Sequence, residues 1–572
     1  MESGGFLARR PEPCAAAADP DDGDARRGGW RAAFFLVVVG FLERIGFFGV
    51  QGNLMLYLTG PMAMSTAAAA TAANAWGGTV LVLTLAGGLA ADSSGLGRYR
   101  AVIVASALYL LSLGMLTASS SSMAAQRATS PPSSSAGGAV VVVFYAALYL
   151  LALAQGFHTP CAEAFGADQF EREGDDDGGG GGGARRPASR SSYFNWYHFS
   201  ISWGYVISTT LLSYVDENVG WTVGFAACWA TMVLYLAVFL LGTGTYRRAE
   251  RPAIDGAAAA RRAWTARFFF FFSRNRKDAA EQLLEPQEEV VVVVDGHGDG
   301  GRGFFLVKLL PIWLSSIVFA VVVSQVSTLF TKQSSTMDRR VGSGGGGGLV
   351  LPSAGLQCLV SFTYIAVLPV YDRMVVPLAR RLTGGGGGIT MLQRIGAGMA
   401  TGCLAMAVAA LVEARRLRVA RDAGLARRLR VARDAGLVNR PGATVPMGVW
   451  WLVPQHVLIG VAEVLAVIGL EEFFYDQVAG ELHSVGLAVS QGVMGVGSYA
   501  SGALVAAIDW ATAARSGGGP TAISPVSLMS ADDLNRAHLD YFYWLLAALA
   551  ALEVAVFVYL AQRYDYKNKS KP

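Results

Sequence analysis

The chain has 572 residues, of which 53% are hydrophobic and 15% are charged, and its formal net charge is +4. Soluble domains carry about 25% charged residues, so this composition excludes an ordinary water-soluble globule. The small net charge, with no basic patch among stacking aromatic residues, also argues against a nucleic-acid partner. The five cysteines are scattered, without metal-ligand spacing or a disulfide framework. We therefore expect no metal and no cofactor.

The N-terminal 29 residues (1–29) are polar and rich in Ala, Gly and Pro, which predicts a cytosolic tail. No apolar core precedes Trp30, so no cleavable signal peptide is expected. Apolar segments of helix length then follow, and a helix needs about 20 such residues to cross a bilayer. The first six lie near 32–58, 72–91, 100–118, 139–158, 193–214 and 221–243.

A stretch rich in Arg, Asp and Glu (246–302) interrupts the apolar segments and predicts a cytosolic linker. It separates an N-terminal bundle at 30–245 from a C-terminal bundle at 303–562, and the basic residues 563–572 predict a second cytosolic tail. The later apolar segments lie near 303–330, 349–371, 389–412, 447–474, 485–509 and 541–562. The pattern predicts an all-α membrane protein of twelve transmembrane helices in two six-helix bundles, which is typical of transporters with rocking halves.

The distribution of Lys and Arg predicts the orientation, because cytosolic loops carry the excess of these residues. Arg31 at the first segment, Arg98 after the second and the basic C-terminus place both termini in the cytosol. One segment disagrees with this rule. The sequence ARRLRVARDAGL occurs twice in tandem, at 414–425 and 426–437, on the opposite side of the membrane. We interpret the duplication as a tolerant external loop.

Ionisable residues inside membrane spans are costly and therefore suggest functional sites. The first span contains Glu43 and Arg44, and Gln51 shares a helix face with Glu43. Two interpretations are open for Glu43 and Arg44. They form an ion pair that joins helices of the bundle, or they are cavity charges that change partner during transport.

The tenth span contains Glu463, Glu471 and Glu472. A carboxylate in a low-dielectric cavity can bind a cation or carry a proton. Glu471 lies on the Glu463 face of the helix, whereas Glu472 is turned away from that face by about 100°. The alternative is that Glu471 and Glu472 mark the end of the helix as it leaves the membrane.

The seventh span contains Ser324 and Gln325, which either line a substrate path or bond to neighbouring helices. His158 ends the fourth span, where we expect a hydrogen-bonded interfacial imidazole. The glycine-rich runs lack the Lys-Ser/Thr of a phosphate-binding loop, and neither a Gly-x-Ser-x-Gly elbow nor an HExxH motif is present. The sequence thus gives no support for an enzyme.

Short motifs follow one another along nearly the whole folded chain. They are Glu43-Arg44, Gly97-Arg98-Tyr99, Pro160-Cys161, Phe165-Gly166-Ala167-Asp168-Gln169-Phe170, Phe194-Asn195-Trp196, Leu310-Pro311-Ile312-Trp313 and Glu472-Phe473-Phe474-Tyr475-Asp476-Gln477. In this order they resemble the plant nitrate/peptide transporter family, the proton-dependent oligopeptide transporter branch of the major facilitator superfamily. The resemblance implies the major facilitator fold and alternating access.

The resemblance further implies symport of a small solute with protons across a lipid bilayer, either the plasma membrane or the vacuolar membrane. Candidate solutes are nitrate, di- and tripeptides, and hormone-like carboxylates. It also implies that Arg44 is an anion-facing or coupling cation and that Glu472 is the cavity carboxylate, which in peptide-carrying relatives meets the substrate amine. Alternatives are a weakly coupled facilitator and a membrane sensor with little transport.

Three positions depart from the family pattern. Gly40 stands where the first-span motif Glu-x-x-Glu-Arg has the glutamate assigned to proton coupling, and Thr159 replaces a lysine of the fourth span. Val323 stands where nitrate-transporting members can carry a histidine. Gly40 leaves two interpretations: loss of a coupling carboxylate, which would weaken the dependence on the proton gradient, or a site of close helix packing.

Overall fold

The computed structural model describes residues 28–93, 97–129, 138–170, 185–247, 302–341, 349–375, 378, 390–433, 444–477, 483–515 and 538–564. Both predicted tails and the predicted linker lie almost wholly outside these ranges, so their boundaries stay predictions. The N-terminal half consists of α1 (Gly29–Gln51), α2 (Thr66–Ser93), α3 (Arg98–Thr129), α4 (Gly138–Asp168), α5 (Arg185–Ile207) and α6 (Trp221–Leu241). A short helix, Leu54–Thr59, follows α1. A π-helical turn, Ser208–Leu212, extends α5 into Ser213–Asn218.

The C-terminal half begins with α7, a broken helix built from Arg302–Ser315, Ile317–Val323, Val326–Phe330 and Thr331–Ser335. The other helices are α8 (Cys358–Val370), α9 (Met391–Arg433), α10 (Val453–Gln477), α11 (His483–Arg515) and α12 (Leu539–Gln562). Between the helices lie the strands β1 (Met337–Asp338), β2 (Arg340–Val341), β3 (Leu349–Val350) and β4 (Val445–Gly448). Strand β1 pairs in parallel with β4, and β2 pairs antiparallel with β3.

The helices carry apolar side chains towards one another and also outwards, which is the pattern of helices in a membrane. Phe34, Leu241 and Trp510, for example, are 65%, 76% and 75% exposed. Within the described ranges, nine helical segments have the length and apolar composition to cross a bilayer. Each of the predicted apolar segments corresponds to one of the helices α1 to α12.

The two halves contact each other at the outer end of the bundle, which we define as the end remote from the start of α1 and the end of α12. There α2 packs against α11, and α5 packs against α8. A Cβ atom added at Gly78 of α2 would lie 2.9 Å from the carbonyl oxygen of Gly495 in α11. The ring centroids of Trp203 in α5 and Phe362 in α8 are 6.0 Å apart. These contacts extend from the outer end to the middle of the helices.

The break in α7 at Ser316 has a buried acceptor beside it. The carboxylate of Glu553, on α12, accepts a hydrogen bond of 2.8 Å from the backbone N–H of Phe319. The first turn of a helix leaves its N–H groups without intrahelical partners, so Glu553 satisfies one of them where the chain restarts as a helix. Glu553 is 5% exposed.

The expectation that the duplicated segment forms an external loop is wrong for residues 414–433, which continue α9 as a regular helix. At 1.5 Å per residue, this 43-residue helix is about 64 Å long, roughly twice the hydrocarbon thickness. Ala, Leu and Arg are strong helix formers, and two specific contacts fix the first copy. Arg416 pairs with Glu413 at 2.6 Å, with both side chains fully buried, and Arg415 lies over the ring of Trp451 at 4.1 Å.

Candidate functional site

A buried carboxylate lies at the centre of the N-terminal half. Glu43, on α1, is fully buried, and its Oε1 atom accepts a hydrogen bond of 2.8 Å from the hydroxyl of Tyr109 on α3. Arg44 forms an ion pair with it, with 3.4 Å between Nε and Oε2, but neither of these two atoms makes a hydrogen bond. The Arg44 side chain is 14% exposed. The ion pair is therefore loose, and its cation is the member that solvent still reaches.

Gln155, on α4, joins these groups together. With its amide oriented so that the nitrogen donates, it bonds to Oε1 of Glu43 at 2.6 Å and also to the hydroxyl of Tyr109. Its oxygen then accepts from the hydroxyl of Thr159 at 2.9 Å and from Nη1 of Arg44 at 3.1 Å. The amide of Gln155 thus contacts both Glu43 and Arg44, the two charged residues of α1. We call Glu43, Arg44, Tyr109, Gln155 and His158 the α1 cluster.

The expectation of a hydrogen-bonded imidazole at His158 is wrong. The residue is 1% exposed, and neither ring nitrogen has a hydrogen-bond partner. Its Nδ1 atom lies 3.9 Å from Oε1 of Glu43, which is an ion-pair distance but too long for a hydrogen bond. The rings of Tyr109 and Tyr235 lie against it, with centroid distances of 5.8 Å and 5.4 Å.

Gly40 is a site of close packing between α1 and α5. A Cβ atom at position 40 would lie 2.6 Å from Cε2 of Tyr197, which is 2% exposed. Real Cβ atoms do not approach other atoms so closely, so even alanine requires the tyrosine ring to move. The structure therefore supports the packing interpretation of this departure from the family pattern, and it leaves no room for a glutamate beside Arg44.

The acidic residues of α10 have different partners. Glu472 is paired with Arg394 of α9 at 3.0 Å, and its side chain is 48% exposed. Glu471 accepts a hydrogen bond of 2.6 Å from the amide of Gln491 on α11 and lies within electrostatic range of Glu163 on α4, in the other half of the molecule. Of these two carboxylates, Glu471 is therefore the one close enough to the N-terminal half to interact with a charge there, whereas Glu472 is paired within its own half.

Glu463 lies on the same helix, two turns before Glu471, and is partly buried. It lies within electrostatic range of Tyr205 on α5. The Tyr205 ring in turn contacts the ring of Phe48, with 4.6 Å between centroids, and the guanidinium of Arg44 lies 5.6 Å from the centre of the Phe48 ring. Two aromatic rings thus connect the cation of one half with a carboxylate of the other.

Ser324 and Gln325, two of the remaining predicted residues, take part in contacts between helices. Gln325 donates to Ser501 of α11 at 2.9 Å, and Asn74 of α2 donates to the same hydroxyl at 3.0 Å. Ser324 lies 3.2 Å from the hydroxyl of Ser498. Gln51 ends α1 and is partly buried. For Ser324 and Gln325 the geometry supports bonding between helices, and Gln325 does so where the two halves meet.

The outer end carries further polar contacts between the halves that sequence reasoning missed. The amide of Gln357, before α8, donates to the backbone oxygen of Gly52 at 3.1 Å and accepts from the hydroxyl of Tyr205 at 3.0 Å. Arg339, next to β2, forms an ion pair with Glu217 at the end of α5. These residues lie in segments read as loops or as plain apolar spans, so only the folded structure shows their pairing.

Within the described ranges, no three His, Cys, Asp or Glu side chains are close enough to share a metal ion. The polar groups of the site instead lie in two sets, the α1 cluster in one half and the carboxylates of α10 in the other. The fold and this division define a membrane transporter of the alternating-access type. The comparisons with known proteins agree with this class.

A model of the POT family, PTR2, matches residues 99–295 and 302–522. Protein NRT1/PTR FAMILY 5.10 of Arabidopsis thaliana is 40% identical over 564 residues, which cover 95% of this chain and 94% of the relative. Protein NRT1/PTR FAMILY 5.16 of the same plant is 40% identical over 569 residues, with 96% and 95% covered. The chain belongs to the POT family. It is a secondary transporter and not an enzyme.

Solved structures give the same fold. An auto-inhibited POT family peptide transporter is similar with a TM-score of 0.66 at 18% identity, covering 95% of this chain and 99% of that one. A POT family transporter in complex with 5-aminolevulinic acid is similar with a TM-score of 0.63 at 13% identity, covering 94% and 98%. The predicted family and the predicted major facilitator fold are both confirmed.

Proposed function

We propose that the protein transports a small zwitterionic nitrogenous solute, such as a di- or tripeptide, together with protons. The observation that carries this proposal is the division of charge between the halves. Arg44, whose side chain is 14% exposed, belongs to the N-terminal half, and the carboxylates of Glu463 and Glu471 belong to the C-terminal half. A solute with an anionic group and an ammonium group has charges that match both sets.

The ring contacts between Arg44 and Glu463 support a single binding region. Phe48 contacts Arg44, and Tyr205 contacts Phe48 and lies within electrostatic range of Glu463. Aromatic faces and edges are suited to the apolar part of a solute. Solved POT family transporters of similar fold include complexes with a thioalcohol-conjugated peptide and with 5-aminolevulinic acid, which both carry nitrogen. These ligands belong to those proteins, and they make a nitrogenous solute a reasonable choice here.

The contacts at the outer end also support a direction for the access path. Both termini are predicted to be cytosolic, so an outer end closed by α2–α11 and α5–α8 contacts corresponds to the inward-facing conformation. In that conformation the α1 cluster and the α10 carboxylates would be reached from the cytosol. Opening to the other side requires the contacts of Gln357, Arg339 and Asn74 to break.

Transport by the purified full chain in proteoliposomes tests the proposal. The solutes to compare are labelled dialanine, nitrate and a carboxylate without an amine, each with and without an inward proton gradient. We expect accumulation of dialanine that depends on the gradient. Selective uptake of nitrate or of the amine-free carboxylate would refute the proposal that the solute is zwitterionic. Flux that is independent of the proton gradient would indicate a facilitator. Absence of flux for all three solutes would favour a sensor.

Two neighbouring variants test the assignment of the α10 carboxylates. Glu471→Gln is expected to raise the KM for dialanine, because it removes the charge that faces the N-terminal half. Glu472→Gln serves as the matched variant, since it removes the same charge one residue away and leaves Arg394 without its carboxylate. It is expected to lower protein abundance with little change in KM. A raised KM in Glu472→Gln with an unchanged KM in Glu471→Gln would instead assign the substrate contact to Glu472.

The membrane that contains the transporter is either the plasma membrane or the vacuolar membrane, as the family resemblance suggests. A fluorescent fusion of the full chain, imaged beside a marker of each membrane, distinguishes them. In either membrane the compartment opposite the cytosol is acidic, so a proton-coupled transporter would carry its solute into the cytosol.

A further inference from the structure

His158 is a buried imidazole whose polar atoms are not used by the fold. It is 1% exposed, and neither ring nitrogen makes a hydrogen bond. Leaving a buried polar group without a hydrogen-bond partner destabilises a fold. His456 of α10 is equally buried, yet its Nδ1 atom lies 2.9 Å from the backbone oxygen of Leu452. The missing hydrogen bond is therefore particular to His158 in this comparison.

The surroundings of His158 contain both a carboxylate and a cation. Its Nδ1 atom lies 3.9 Å from Oε1 of Glu43, and its own helix contributes the uncharged groups of Gln155 and Thr159. The same helix also carries Glu163, whose side chain is 37% exposed and lies within electrostatic range of Arg44 and Tyr197. The other titratable and charged groups that face this region come from four further helices. In the described chain they are Glu43 and Arg44 of α1, Tyr109 of α3, Tyr197 of α5 and Tyr235 of α6.

The charges of this region set a simple condition. With a neutral imidazole, the charges of Glu43 and Arg44 balance within the buried part of this region, because Glu163 is 37% exposed and lies 3.7 Å from His198. One added proton gives the region a net positive charge, and a buried net charge is unfavourable unless an opposite charge accompanies it. The anionic group of a solute at Arg44 would supply that charge. A proton and an anionic group would then bind together because each lowers the cost of the other.

We propose that His158 binds the transported proton and that its protonated ring then pairs with the carboxylate of Glu43. A proton that enters from the aqueous side binds to Nδ1 of His158, and the imidazolium closes the 3.9 Å gap to the Glu43 carboxylate. The carboxylate then moves away from its loose 3.4 Å pair with Arg44, whose guanidinium is released towards the solute. After the solute leaves, Arg44 recaptures the carboxylate and the proton departs from the same nitrogen.

This role explains how coupling can persist with Gly40 and Thr159. The family pattern places a carboxylate at position 40, but the packing of Gly40 against Tyr197 leaves no space for one. His158 approaches Glu43 from α4 instead and offers a second titratable group within the same cluster. The inference rests on the proposed proton coupling, and the experiments below separate the failure of one from the failure of the other.

Proton-driven accumulation and solute exchange separate coupling from binding. Exchange of labelled for unlabelled dialanine at equal pH moves no net proton, whereas accumulation needs the gradient. For His158→Gln we expect exchange to continue and gradient-driven accumulation to be lost. His456→Gln is the matched control and should retain both activities. A wild-type protein that exchanges but never accumulates dialanine would refute the proposed coupling. Full accumulation by His158→Gln would refute the role of His158 alone.

A measurement that needs no solute completes the test. The imidazole nitrogen resonances of the ¹⁵N-histidine-labelled full chain can be followed against pH, and loss of one resonance in His158→Asn identifies the residue. We expect that Glu43→Gln weakens proton binding at His158 by about tenfold or more, since the carboxylate stabilises the imidazolium. The proposal would be overturned if the His158 resonances showed a neutral ring throughout the working pH range. It would also be overturned if their pH dependence were the same in Glu43→Gln as in the wild type.

Discussion

Gly40 lies where α1 comes closest to α5, and this contact predicts the effect of adding a single methyl group. Gly40→Ala places a Cβ atom 2.6 Å from the buried Tyr197 ring and should lower thermal stability and protein abundance. Gly77→Ala in α2 is the matched control, because no atom lies within 4 Å of its added Cβ. Alanine favours a helix by about 1 kcal/mol over glycine, so this control should be neutral or stabilising.

Melting temperatures of the purified variants in the same detergent check this prediction. Equal stability of Gly40→Ala and wild type would mean that Tyr197 moves aside without cost. In that case a glutamate at position 40 would become possible again. The family carboxylate could then be restored by Gly40→Glu and tested for stronger dependence on the proton gradient.

The candidate site shows which residues a sequence can reveal on its own. Glu43 and Arg44 stand out because charged residues inside an apolar segment are costly. Their partners Tyr109 and Gln155 do not stand out, since a tyrosine and a glutamine are common in membrane helices and lie far away in the chain. The spacing of Gln155, His158 and Thr159 along one helix face gave a signal that sequence analysis left unused.

At the scale of elements, the buried pair of α9 predicts unequal effects for two arginines with identical local sequence. Arg416 pairs with Glu413, and Arg428 is its counterpart in the second copy of the duplication, where Leu425 stands three residues earlier. Arg416→Gln leaves a buried carboxylate without its cation, which typically costs about 3–5 kcal/mol. Arg428→Gln removes the same charge without breaking this pair.

We therefore expect a marked loss of stability and abundance for Arg416→Gln and little change for Arg428→Gln, measured by thermal melting and by membrane abundance. The double variant Glu413→Gln/Arg416→Gln should recover part of the loss, because neither charge is then left alone. Similar behaviour of the two single arginine variants would show that the Glu413–Arg416 pair contributes little to stability.

The elements differ in how well the sequence predicts them. Each membrane segment could be placed because a long apolar run has few alternatives to a helix in a bilayer. The duplicated part of α9 could not, since its arginines suggested a solvated loop while its Ala and Leu content favoured a helix. The contact that decides between these possibilities, Arg416 with Glu413, involves a residue just outside the repeat.

For the whole molecule, the contacts between the halves define which side is closed. Asn74 of α2 and Gln325 of α7 both donate to the hydroxyl of Ser501 on α11, so one oxygen joins the two halves. Gln357 makes a second such connection by contacting Gly52 and Tyr205. Neutral hydrogen bonds of this kind contribute about 0.5–1.5 kcal/mol each. They are strong enough to favour the closed outer end and weak enough to be exchanged during transport.

A disulfide across this contact should therefore hold the transporter in the inward-facing conformation. In the double variant Asn74→Cys/Ser501→Cys, the new side chains replace groups that lie 3.0 Å apart, and oxidation is expected to join α2 to α11. Solute uptake should stop on oxidation and return with a reductant, because the outer end can no longer open. The single variants Asn74→Cys and Ser501→Cys control for loss of the hydrogen bonds and for the native cysteines. If the oxidised double variant, shown by mass spectrometry to be cross-linked, transports at the rate of the reduced protein, then separation of α2 from α11 is not part of the transport cycle.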